Sequence, residues 1–385
     1  MSSASGKTVN DATFNTSFTT MKYLKGIVAK GKGSIAVILP DTVTSARWAD
    51  FDAPSFKSAF KAAGLKKSQY VVQNALGSDQ TQYADAQADI AKGAKVLILT
   101  PLDSTTGAVI EAYAVARGVK VIDYDRLTLG GARTYYVSFN NVKVGGLIGS
   151  GLLSCITAWK VSNPDVFVMK GAPTDNNATL FAEGYDAVLN AGGYNTTSGS
   201  SNTVLESVGT WTPTVALTDF EGAYAANPKI NAVLTPNDEN AAPIIQHLQA
   251  AGLKPQTIPF TGQDATLVGI QNIISGYQCG TVYKPSWLEA QATAALAIYL
   301  RAHVKPPSGL VNNTTTDSGA TISSFKHVPS VLLTPEWVTA STVEKTVVKD
   351  KVLKASDICT SSAPTVAGDS SIPTYSADCT TYGIK

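Results

Sequence analysis

Short apolar, β-branched runs recur along the chain, separated by longer Ala-rich stretches. The runs cover residues 34–40, 70–73, 96–100, 119–123, 166–169, 232–235 and 258–261. Each is apolar at consecutive positions rather than at alternate ones, as a strand covered on both faces requires. Between them, residues 53–63, 81–92, 107–117, 141–159, 178–190 and 241–251 have helical composition. Several of these stretches stop at a glycine, Gly64, Gly93, Gly118 or Gly252, a residue that tolerates the left-handed backbone closing a helix. Strand and helix in alternation predict parallel sheets flanked by helices, an α/β fold.

Two such series are visible, over residues 33–135 and 165–282. A further helix, 287–303, a Gly/Thr/Asn-rich loop, 308–321, and an apolar run, 331–334, follow the second series. Elements placed after two finished units predict that the chain crosses back between lobes. Phe14, Phe18, Met21 and Leu24 have helical spacing, so residues 10–29 are expected to pack as an accessory helix. A chain of 385 residues also exceeds the roughly 250–300 at which one core stops growing.

Charge narrows the partners. The 30 basic and 29 acidic side chains leave a net charge of +1, and no Lys/Arg cluster is interleaved with aromatics, so nothing here would hold a phosphate backbone. No apolar run approaches the roughly 20 residues that span a bilayer. The Ser-rich residues 1–7 read as a flexible tether left after removal of an export signal, compatible with a lipid-anchored protein outside the cytoplasm. Cys155, Cys279, Cys359 and Cys379 form no CxxC pair and lie near no His at ligand spacing, which argues against zinc; no metal or cofactor is expected. An even count suits an oxidising compartment, with three pairings formally available. Cys359 and Cys379 lie in a polar tail with little else to hold it, which favours that bridge and leaves Cys155 with Cys279; four buried thiols are the alternative.

In open α/β sheets, ligands bind beyond the carboxyl ends of the strands. Those ends are rich in hydrogen-bonding groups: Asp41, Arg47 and Trp48; Asp125 and Arg126; Asp175, Asn176 and Asn177; Asn237 and Asp238; Gln263 and Asp264; and Lys284. A neutral sugar needs this inventory, because each hydroxyl both donates and accepts and loses water on burial. Trp48 and Trp211 are the candidate aromatic plates for the C–H face of a sugar ring. Asn177 and Asn237 are equally residues that cap helices, and both uses can coexist.

These stretches resemble the type I periplasmic binding proteins of sugar ABC transporters, the xylose-binding proteins above all. The matching segments are Ala46-Arg47-Trp48, Asp123-Tyr-Asp-Arg126, Ser138-Phe-Asn-Asn-Val-Lys-Val-Gly145, Pro173-Thr-Asp-Asn-Asn-Ala178, Pro236-Asn-Asp238, Gly262-Gln-Asp-Ala265, Thr281-Val-Tyr-Lys-Pro285 and Pro329-Ser-Val-Leu-Leu-Thr-Pro335. The resemblance implies two doubly wound parallel-sheet lobes joined by three crossovers, near 136–140, 281–285 and 325–332, closing like a Venus flytrap. It divides the chain into residues 1–32 (tether and accessory helix), 33–137 with 283–325 (first lobe), 138–282 with 326–357 (second lobe) and 358–385 (Cys-bearing tail). The sugar contacts it implies are Arg47, Asp125, Arg126, Asp175, Asn177, Asn237, Asp264 and Lys284, with Trp48 and Trp211 stacking. Ala46 stands where close relatives can carry Glu, and the loop 42–45 differs too, which bears on one hydroxyl contact. The implied function is capture of a monosaccharide, D-xylose first, by a monomer that delivers it to a membrane permease.

Catalytic motifs are missing. His247, His303 and His327 are scattered, with no GxSxG or HExxH. The string from Gly26 to Lys32 has phosphate-loop spacing, but Gly33 replaces its Ser/Thr and it precedes a strand. An enzyme is therefore not expected. The competing readings are the effector lobe of a sugar-responsive transcription regulator and a ligand-presenting partner of a chemotaxis receptor.

Overall fold

The computed structural model describes residues 8–194, 204–359 and 379–385, so the tether at 1–7 and most of the tail lie outside the described residues. The accessory segment is helical only in part: Thr19–Leu24 form a 3-10 turn that runs into one α turn, α1 (Lys25–Val28). Phe14, Met21, Leu24 and Val28 bury against the core, whereas Phe18 adopts a left-handed backbone that interrupts the expected helix.

The first series folds as β1 (Ser34–Leu39), α2 (Ala53–Ala63), β2 (Tyr70–Asn74), α3 (Asp79–Ala91), β3 (Ala94–Leu99), α4 (Ser104–Val115), β4 (Lys120–Tyr124) and β5 (Tyr135–Phe139). The second folds as α5 (Asn141–Ala158), β6 (Val166–Val168), α6 (Asn176–Ala191), β7 (Leu205–Glu206), α7 (Pro213–Ala226), β8 (Ala232–Leu234), α8 (Asp238–Ala250), α9 (Leu267–Ile274) and β9 (Thr281–Tyr283). The chain then returns through α10 (Ser286–Arg301), β10 (Asn313–Thr316), α11 (Ser323–Lys326) and β11 (His327–Leu333), and finishes with β12 (Glu336–Val338) and α12 (Ala355–Ile358).

One seven-stranded sheet has the order β10-β11-β5-β4-β3-β1-β2, parallel except where β10 meets β11. The second unit holds the parallel trio β7-β6-β8 and the antiparallel pair β12-β9. Single bridges link these two groups, Val233 to Phe260 and Gln263 to Val282. The run at 258–261 therefore contributes bridges and not a strand.

Two boundaries differ from the sequence expectation. Strand β11 joins the first sheet, not the second lobe, with Ser330–Leu333 paired to β5, and the last crossover falls at 334–335, between β11 and β12. The loop expected over 308–321 contains β10, which pairs with β11 over four residues. In both cases backbone pairing decides: β11 pairs with β5, nearly two hundred residues earlier, and β10 pairs back on β11.

Helix α5 meets the length and hydropathy of a membrane span, with a mean hydropathy of 1.2 over 18 residues. It packs as a core helix, burying Val144, Ile148 and Leu152, and lies along α6. That approach depends on glycine: a Cβ on Gly145 would lie 2.0 Å from the Phe181 carbonyl oxygen, and one on Gly184 would lie 2.1 Å from that of Val142. The close α5–α6 contact sets the position of the start of α6, which faces the cleft. Disulfides join Cys155 to Cys279 and Cys359 to Cys379, as the tail argument favoured.

Candidate functional site

A pocket of about 300 Å³ of atom-free space, part of it open to solvent, lies between the two sheets, beyond the carboxyl ends of their strands. The first lobe lines it with Thr44, Ser45, Trp48, Asp125 and Arg126; the second with Asp175, Asn177, Phe181, Trp211, Asn237, Gln263 and Asp264; and Lys284 comes from the crossover after β9. Nine of the ten residues expected from sequence are on this wall. Arg47 is not.

Asp125 follows β4 in a left-handed backbone, φ 62°. Its Oδ2 accepts from Arg47 (2.8 Å) and Lys284 (3.2 Å), and its Oδ1 accepts from Asn177 Nδ2 (3.1 Å). Burial alone would raise its pKa, but Lys284, then Arg47 and Arg126, outweigh that and hold the carboxyl at about 2. Asp125 is thus an ionised acceptor at any physiological pH. Its counterpart across the cleft, Asp264, also has positive φ (88°) and stands 3.4 Å from Lys284 Nζ.

Asp175 caps α6 with one oxygen, which accepts the Asn177 amide at 2.9 Å. Its other oxygen accepts Trp211 Nε1 (3.1 Å) and faces Arg126 Nε (3.0 Å). One carboxylate therefore fixes a helix start and orients two pocket residues. Burial, the largest influence on it, raises its pKa despite Arg126. Asn237 caps α8 through Oδ1, so capping and pocket lining coincide there as well.

Arg47 lies behind the wall. Its guanidinium spends its donors on Asp52 (2.9 and 2.7 Å), Glu289 (2.7 Å) and Asp125 (2.8 Å), all buried, while its face covers the Trp48 ring at 4.5 Å. Burial would lower its pKa, but the three carboxylates raise it well above the ordinary value. Held in this way, Arg47 contacts Asp125 and Trp48 on the pocket wall and does not itself line the pocket. Glu289 has a raised pKa because it is buried and shares this one cation with Asp52 and Asp125.

Sequence reasoning missed Thr44, Ser45 and Phe181 as wall residues, and Gln263 stood only as the strand-end neighbour of Asp264. Phe181 lies four residues after Asn177 on α6, so helical spacing puts both on one face; that signal was available. Thr44 and Ser45 sit in the loop between β1 and Trp48.

Two buried atoms on wall residues have no hydrogen-bond partner in the protein, Trp48 Nε1 and Gln263 Oε1, and Asp264 Oδ1 has only the ion pairs to Lys284 (3.4 Å) and Arg47 (3.8 Å). Unpaired polar atoms are costly when buried. A donor and an acceptor left free on two residues of one pocket suit a small molecule that both donates and accepts. Among the described residues, no cluster of His, Cys, Asp and Glu could hold a metal.

Residues 35–303 match the family described as the periplasmic binding protein domain. The chain is 35% identical over 320 residues to the D-xylose-binding periplasmic protein of Escherichia coli, covering 83% of this chain and 90% of that one. It is 31% identical over 346 residues to the multiple sugar-binding periplasmic receptor ChvE of Rhizobium radiobacter, covering 86% and 93%. Among solved structures, a carbohydrate transporter solute-binding protein from Chloroflexus aurantiacus in complex with D-glucose superposes with a TM-score of 0.70 at 27% identity, over 84% of this chain and 98% of that one. With the architecture and these matches agreeing, the chain belongs to the periplasmic binding protein family and has its type I fold.

Proposed function

We propose that this protein is a non-enzymatic, extracytoplasmic solute-binding protein that captures one monosaccharide, D-xylose first among the aldopyranoses, and hands it to the permease of an ABC importer. The observation that carries the reading is a pocket lined from both lobes by buried hydrogen-bonding side chains, of which Trp48 Nε1 and Gln263 Oε1 have no partner in the protein. Asp125, Asp264 and Gln263 offer acceptors, Arg126, Lys284 and Trp48 offer donors, Asn177 and Asn237 offer both, and Trp48, Trp211 and Phe181 offer apolar ring faces. The names of the E. coli and R. radiobacter relatives support a sugar, and the former supports xylose.

Sugar touching both lobes stabilises the closed arrangement by its differential affinity for it. A pentose has about ten heavy atoms, so a micromolar complex needs roughly −0.8 kcal/mol per atom, within the ceiling for very small ligands. That efficiency requires a cleft that closes around the sugar and excludes water. A second role, presenting sugar to a signalling receptor, is compatible with transport and is favoured by the word receptor in the R. radiobacter relative's name.

The test is a thermal-shift screen of pentoses and hexoses, followed by calorimetry. A ligand at 100 times its Kd adds about 2.7 kcal/mol of stability. D-xylose is expected to give the largest shift with one site per chain. No shift with any aldopyranose would sink the sugar reading.

A further inference from the structure

We propose that Glu239 is a retention residue: it closes a clasp across the cleft mouth that holds captured solute in place without touching it. This rests on the capture function proposed above.

The clasp joins segments 193 to 219 residues apart. From the first lobe comes the turn that follows β1, and from the second the first turn of α8 and the strand end at Asp264. Glu239 Oε1 accepts the backbone N–H of Ala46 at 2.9 Å. Asn237 Nδ2 donates to the Thr44 carbonyl at 2.9 Å, and Ser45 Oγ donates to Asp264 Oδ2 at 2.8 Å. Three consecutive residues of one lobe thus engage three side chains of the other. Glu239 differs from its neighbours in the clasp because Asn237, Asp264, Thr44 and Ser45 all line the pocket and it does not.

The turn is organised from within its own lobe. Buried Asp41 accepts the amides of Val43 (2.8 Å) and Thr44 (2.7 Å) through Oδ1, while its carbonyl oxygen accepts Asn74 Nδ2. A turn already held in shape loses little further conformational freedom on closure, so the contact to Glu239 adds to the stability of the closed form instead of being cancelled by ordering. Glu239 is equally fixed, in the first turn of α8, where its Oε2 lies 3.3 Å from Asn237 Nδ2. Because these bonds need the lobes together, they favour closure whichever solute lies inside, and their loss shows in the release rate.

Stopped-flow kinetics with D-xylose, on the wild type, Glu239→Ala, Glu239→Gln and Asp41→Ala, test the proposal. Wild type that binds no aldopyranose overturns the capture function and this inference together, before any variant is compared. With binding established, Glu239→Ala is expected to raise the dissociation rate about tenfold, the loss of one buried hydrogen bond that leaves the Ala46 amide unpaired, with the association rate within about twofold. Glu239→Gln keeps an acceptor oxygen and is expected to restore most of the residence time. Asp41→Ala is expected to act in the same direction, and Asp41→Ala with Glu239→Ala to cost less than the sum of the two. An unchanged dissociation rate in folded Glu239→Ala overturns the clasp, as does a loss confined to the association rate. If that variant fails to fold, an unaltered release rate in Asp41→Ala does so from the opposite lobe.

Discussion

Asp125 and Asp264 occupy matching places, each beyond the end of a sheet segment of its own lobe and each in a left-handed backbone. For a non-glycine residue that conformation costs on the order of 1 kcal/mol or more and persists where surroundings over-determine it. Here the surroundings are Lys284, which reaches both carboxylates, and Arg47, which backs them. Asp125→Ala strands Lys284 and the Asn177 amide in a buried pocket, so sugar affinity is expected to fall by a few kcal/mol, read by calorimetry; unchanged affinity would reject its role. Arg47→Met leaves Asp52, Glu289 and Asp125 without their shared cation. It is expected to cost about 3–5 kcal/mol of folding stability, visible as a large drop in Tm, whereas a residue that met only the ligand would leave the unliganded Tm nearly unchanged.

At the scale of elements, helix caps double as pocket walls. Asp175 and Asn237 each start a helix pointing away from the cleft, so the bond that holds the helix end also aims the side chain. Composition made most strands and seven long helices readable, but α7 and α9 went unread. Pro213 just inside α7 is a start signal, yet the Thr- and Val-containing first turn obscured it, and α9 is a short helix with little room for a periodic pattern. The Cys155–Cys279 bridge ties α5 to the segment entering β9, closing a loop of 124 residues. In the chain-entropy account such a loop contributes about 4–5 kcal/mol. Replacing both cysteines by alanine is therefore expected to lower the Tm by several degrees, with the far-ultraviolet circular dichroism preserved; an unshifted Tm would show that the bridge adds nothing.

For the molecule as a whole, buried acids set the response to pH. Burial raises Asp238 to about 7, and burial first, then neighbouring carboxylates, raises Glu111 and Glu239 well above the ordinary range. An acid with a raised folded pKa binds its proton more tightly when folded, so its stabilisation is complete below the unfolded pKa near 4 and is lost as pH rises through about 7. Asp125 acts oppositely: its contribution is present above pH 4 and lost as pH falls toward 2. The Tm is accordingly expected to be higher at pH 5 than at pH 8 and to fall again below pH 4; a Tm climbing steadily from pH 5 to 8 would contradict this balance. Binding has its own global signature. Because the proposed ligand bridges the lobes, D-xylose is expected to reduce the radius of gyration in solution scattering, and an unaltered radius at saturation would argue against hinge closure.

What the sequence alone determined is local or statistical: doubly covered strands from consecutive apolar runs, helix stops from glycine, and polar groups concentrated after strands. Those signals act within a few residues, so they survive without knowledge of the fold, and they brought nine of ten expected residues to one pocket. Tertiary structure alone decided which lobe the returning chain joins, since β11 is captured by the exposed edge of β5. It also decided that Arg47 meets Glu289, 242 residues away, and so turns from the pocket, and that Glu239 reaches Ala46 across 193 residues. Such pairings follow from the geometry of two packed lobes, because the energy of a buried charge depends on what surrounds it in space and not along the chain.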